Sequence, residues 1–84
     1  MGNPAANIMT NPYLQKRSLR LSGHKTSVAL EQEFWCVLEK IAQTKENSLS
    51  TLITTIDMNR DPDRPLSSAL RLEALKYMTN QAKI

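Results

Sequence analysis

Eighty-four residues allow one small domain with a modest core, and no disulfide reinforces it, because Cys36 is the single cysteine. The longest uninterrupted apolar run, Phe34-Trp35-Cys36-Val37-Leu38, is too short for a membrane span or a signal-peptide core, so a cytoplasmic setting is expected. The net charge of +3 is unevenly spread. Residues 1–30 hold Lys16, Arg17, Arg20 and Lys25 and no acid, whereas residues 31–84 hold seven bases and eight acids. Such an excess at one end points to a polyanion. Nucleic acid ranks ahead of membrane, because no amphipathic basic helix accompanies the charge.

Residues 1–15 carry three asparagines and two prolines with little periodicity, and are expected to be a flexible tail before a domain spanning residues 16–84. Lys16 to His24 are basic with a weak alternation, Leu19 and Leu21 one way, Ser18, Arg20 and Ser22 the other. Two readings stay open for this stretch, an extension of the next strand or a flexible arm. Gly23 argues for a bend. Residues 25–30 then alternate convincingly: Thr26, Val28 and Leu30 point one way, Lys25, Ser27 and Ala29 the other. A strand needs a partner for its backbone groups, and the simplest one is the same strand of a second copy.

Glu31 and Glu33 sit where a helix dipole favours negative charge. A helix is predicted over about 32–45, with Phe34, Trp35, Leu38 and Ile41 on a wide apolar face. These aromatics are read as core rather than as platforms for bases. Glu46 or Asn47 takes the left-handed conformation in the following turn. Ser48 is the predicted N-cap of a second helix, about 49–58, whose stripe is Leu49, Leu52, Ile53 and Ile56. Pro65 suits the first turn of a third helix, about 65–80, which either packs on the assembly or offers a surface to another protein.

A helix-turn-helix reading fails on chemistry. Its second helix should present basic or amide side chains to the groove, but the polar face over 50–57 carries only hydroxyls and one acid. The positive charge precedes the first helix instead. A two-stranded ribbon also fits the major groove, and there Lys25 donates to guanine, Ser27 donates or accepts, and Ala29 meets a thymine methyl. Lys16, Arg17 and Arg20 are candidates for phosphate contacts. So are Ser48 and the amides of Leu49 and Ser50, at the positive end of a helix.

The segments Arg17 to Trp35, Ser48 to Asp57 and Leu66 to Arg71, in that order and spacing, resemble the ribbon-helix-helix DNA-binding proteins of the MetJ and Arc type. The similarity is to a short bacterial subgroup with a C-terminal helical extension, and it covers residues 16 to about 78. The resemblance implies a mainly α fold with one short strand. It also implies an intertwined homodimer sharing an intermolecular two-stranded antiparallel ribbon, with higher-order assembly on DNA as a further step. Val28, Leu30, Phe34, Trp35, Leu38, Ile41, Leu52, Ile53 and Ile56 would form the dimer core. Base reading by Lys25, Ser27 and Ala29, and phosphate holding by Ser48, Leu49 and Ser50, fall at the family's positions. Two departures stand out: Ala29, where the family usually has a polar side chain, and Glu46, where it usually has Gly.

The expected function is sequence-specific binding of double-stranded DNA, as a transcriptional repressor. The alternative is an antitoxin or adaptor whose C-terminal helix captures a protein. No His–carboxylate–nucleophile grouping, metal set or phosphate loop is present in the sequence, so neither catalysis nor a cofactor or metal is expected.

Overall fold

The computed structural model describes residues 12–82, so most of the expected tail, and Lys83, lie outside the described residues. Its elements are β1 (Leu14–Leu21), β2 (His24–Glu31), α1 (Gln32–Thr44), α2 (Leu49–Asn59) and α3 (Leu66–Ala82). β1 and β2 pair antiparallel, with Leu21 opposite His24 and Leu14 opposite Glu31. The two-residue connection Ser22-Gly23 has positive φ at both positions, 51° and 84°. That is the requirement of the tight hairpin turns whose twist matches the flanking strands.

One detail of the expectation is corrected: the described residues hold two strands rather than one, and β1 pairs with β2 as a two-stranded antiparallel ribbon within the chain. Of the two readings left open for residues 16–24, neither the arm nor a simple extension of β2 describes what forms. The segment turns back at Ser22-Gly23, and its strand starts at Leu14, inside the expected tail.

The inner face of the ribbon is closed by the chain's own helices: α2 packs against β1, and α1 and α3 against β2. Leu21, Val28, Leu30, Trp35, Leu38, Ile41, Ala42, Leu52, Ile53 and Leu70 make one continuous core, with Phe34 and Ile56 half-buried against it. Burying each of the larger aliphatic side chains contributes about 1.5–3 kcal/mol. The residues expected in a core shared by two chains are therefore largely covered within one. Leu21 and Leu70 join them in that core.

Two arginines clamp the outer elements onto α1 in the same manner. Arg17 of β1 pairs with Glu39 at 2.8 Å and lies 4.7 Å over the Trp35 ring. Arg71 of α3 pairs with Glu31 at 2.9 Å and lies 5.6 Å over Phe34. A hydrogen bond from its own backbone and then those from Arg71 hold the Glu31 carboxyl below the usual carboxylate range, so it stays charged beside the guanidinium. Trp35 adds a third link, since its Nε1 donates to the Gln15 carbonyl at 2.8 Å. Both ion pairs are partly solvated, and water screens their attraction.

α1 ends as expected, with Glu46 at φ 56°. Glu46 N donates to Gln43 O and Asn47 N to Ala42 O, the paired bonds of a Schellman motif. A side chain in this conformation costs about 1–2 kcal/mol, against about 0.5–1 kcal/mol of chain entropy for glycine. Glu46→Gly should therefore stabilise the fold by about 0.5–1 kcal/mol, read as a rise in Tm of roughly 2–8 °C. An unchanged or lower Tm would rule out strain at this turn. Past the next turn, the Pro65 carbonyl accepts from Ala69 N and opens α3.

Candidate nucleic-acid interface

Strand pleat and register together decide what the outer face of the ribbon carries. Successive side chains alternate, so Lys16, Ser18 and Arg20 of β1 share one face with Lys25, Ser27 and Ala29 of β2. The cross-strand pairs are Lys16 with Ala29, Ser18 with Ser27, and Arg20 with Lys25. The three bases and both serines are exposed, and Ala29 is half-exposed. The Ser18 and Ser27 hydroxyl oxygens stand 3.5 Å apart. Lys16, Arg20 and Lys25 form no ion pair among the described residues.

Arg20 directly opposite Lys25 is a like-charge pair, which disfavours a ribbon in isolation. No acid on this stretch of the face offsets it. A polyanion laid along the ribbon would relieve that repulsion and occupy all three cations.

Arg17 does not join this group. It alternates with Lys16 and Ser18, falls on the inner side with Leu19 and Leu21, and is committed to Glu39 and Trp35. Ser48 caps α2: its Oγ accepts from Thr51 N at 3.1 Å and donates to Thr51 Oγ1 at 2.9 Å. The amides of Leu49 and Ser50 open α2 and have no intrahelical acceptor by helix geometry. Hydroxyls on the polar side of the same helix turn inward to it, Thr54 donating to Ser50 O and Thr55 to Thr51 O. They offer little to a base edge, which agrees with rejecting a recognition helix here. The sequence reading sets Ser18 on the face opposite Leu19 and Leu21 without giving it a role, and groups Arg17 with Lys16 and Arg20 as phosphate contacts. Period-two counting from Leu19 and Leu21 carries the signal for both.

A sequence model of the ribbon-helix-helix domain matches residues 14–78, from the first residue of β1 into the last turns of α3. The chain belongs to the ribbon-helix-helix family. This ribbon-helix-helix protein is also similar to a solved structure, that of an uncharacterized protein from Bordetella pertussis Tohama I. The two are 34% identical with a TM-score of 0.70, over 98% of this chain and 73% of that one. No curated protein matches it. As a ribbon-helix-helix domain it is a DNA-binding regulator in general terms, built on a regulatory rather than an enzymatic fold. No helix among the described residues is long and apolar enough to cross a membrane.

Proposed function

We propose that the protein binds double-stranded DNA sequence-specifically, inserting the β1–β2 ribbon into the major groove, and that it acts as a transcriptional repressor on cytoplasmic, nucleoid DNA. The observation that supports this reading best is the outer face of the ribbon: three cations without an ion-pair partner among the described residues and two serines share one plane, with no acid between them. The major groove admits a two-stranded ribbon, and lysine, arginine and serine are side chains that address base edges there. Lys25, Ser27 and Ala29 face the bases in this reading. Lys16 and the start of α2 at Ser48, Leu49 and Ser50 hold phosphates.

The test combines selection of a preferred site from randomised duplexes with titration of variants. Lys25→Ala and Ser27→Ala should each relax preference at one base pair by about 1–3 kcal/mol, whereas Lys16→Ala should weaken all sequences alike. Affinity should fall with salt by roughly 0.9 log unit per log of salt for each phosphate neutralised. Selection left intact by both β2 substitutions would rule out the base-reading assignment.

A homodimer, the assembly the family implies, would meet through surface that one chain leaves open. Leu75 and Met78 of α3, 59% and 49% exposed, provide apolar area for it. The same residues support the second reading, capture of a protein partner by α3. A groove of about 520 Å³ between α2 and α3 has Leu52, Ile56 and Leu72 in its lining. Truncation before α3 would not separate the readings, because Leu70 is buried in the core. Leu75→Glu does separate them. If it leaves the protein dimeric but releases a partner, the second reading holds; if the protein becomes monomeric, α3 is the dimer surface.

A further inference from the structure

The groove between α2 and α3 joins two kinds of chemistry. Leu52, Ile56 and Leu72 line it. Leu52 is buried, Ile56 is half-buried and Leu72 is 37% exposed, so the apolar lining runs from the core out to the surface. Four cations line the same groove: Lys45 just after α1, Arg60 and Arg64 in the connection to α3, and Lys76 of α3. Two acids, Asp61 and Glu73, also belong to the lining, which leaves its charge positive.

The cations are not equally engaged. Arg60 Nε donates to Asp57 at 2.7 Å, and its Nη1 donates to the Arg64 carbonyl at 2.6 Å. Arg64 Nη1 donates to the Ser68 hydroxyl at 2.9 Å. Lys45 and Lys76 are exposed, and their ammonium groups have neither an ion pair nor a hydrogen bond among the described residues. Two uncommitted cations beside an apolar surface suit a molecule with one charged end.

Size decides what kind of molecule. About 520 Å³ falls within the roughly 300–1,000 Å³ of small-molecule sites. A stable protein interface needs on the order of 1,200 Å² or more, and the exposed Leu75 and Met78 of α3 are not in the lining.

We propose that the groove binds a small organic anion, a carboxylate carried on an apolar body. The body lies against Leu52, Ile56 and Leu72. Lys45 and Lys76 hold the carboxylate through charge-assisted hydrogen bonds. The site is separate from the outer face of the ribbon and stands whether or not the ribbon reads bases.

Its test titrates the full chain with octanoate, hexanoate and octylammonium below micelle-forming concentrations, followed by calorimetry and by amide chemical shifts. Octanoate should bind saturably and shift the amides of Leu52, Ile56 and Leu72. Each methylene fewer should weaken binding about fourfold, so hexanoate should bind roughly 15-fold more weakly. Octylammonium, with the same body and the opposite charge, should bind at least about tenfold more weakly than octanoate. Lys45→Gln with Lys76→Gln should lower octanoate affinity by about tenfold or more. Both side chains are exposed, so melting should match the parent. Equal binding of octanoate and octylammonium would mean an apolar surface without anion recognition, and would overturn the proposal. So would shifts centred on Lys16, Arg20 and Lys25, which would place the anion on the ribbon, or no saturable binding of octanoate. If dilution without any ligand moves the same groove amides, a second copy covers the groove and the proposal fails.

Discussion

Lys25→Glu is expected to move stability and DNA binding in opposite directions. In the folded chain Lys25 faces Arg20 across the ribbon, a like-charge pair with no acid to offset it. The substitution turns repulsion into a cross-strand ion pair, stabilising the hairpin by about 0.2–1 kcal/mol. On DNA the same change sets a carboxylate against guanine acceptors and phosphates, and removes a base contact worth about 1–3 kcal/mol. Affinity should fall on the order of a hundredfold or more at moderate salt. Thermal melting and fluorescence anisotropy on a labelled duplex read the two effects separately. A variant that melts earlier and binds as before would remove the argument that the outer face is kept cationic for a ligand.

Trp35→Ala should be the most damaging single change in the chain. Trp35 is fully buried, carries Arg17 over its ring and donates to the carbonyl of Gln15. Truncating a buried tryptophan costs about 3–5 kcal/mol, out of a total of roughly 4–13 kcal/mol expected for a chain of this length. Trp35→Phe isolates the tie to β1: it keeps most of the apolar volume but loses the N–H donor, at a cost of about 1 kcal/mol. Amide exchange should then speed up in β1 more than in α1 or α2. Uniform loss of protection across the chain would mean that the indole stabilises the core without fastening the first strand.

The helices were legible because their apolar spacing is regular. Leu49, Leu52, Ile53 and Ile56 repeat as a helical stripe should, and α2 starts and is capped at the residues expected. β2 was equally plain. β1 was hidden by its inner face, where only Leu19 and Leu21 are apolar and Gln15 and Arg17 fill the other inward positions. An arginine on an inward position reads as solvent-facing until its receptors are known. Those receptors, Trp35 and Glu39, lie some twenty residues further on. The Ser22-Gly23 pair between two alternating runs was the local clue to a hairpin. The candidate interface was partly legible for the same reason. Lys25, Ser27 and Ala29 follow from alternation in one strand, whereas the placement of Ser18 and Arg20 beside them requires the pairing.

The two residues joining β1 to β2 also decide how this surface comes into being. Strands linked so closely meet by a unimolecular event, on the order of microseconds for hairpins, and need no encounter between molecules. The hairpin is held by contacts close in sequence, so its cationic outer face takes shape as each chain folds.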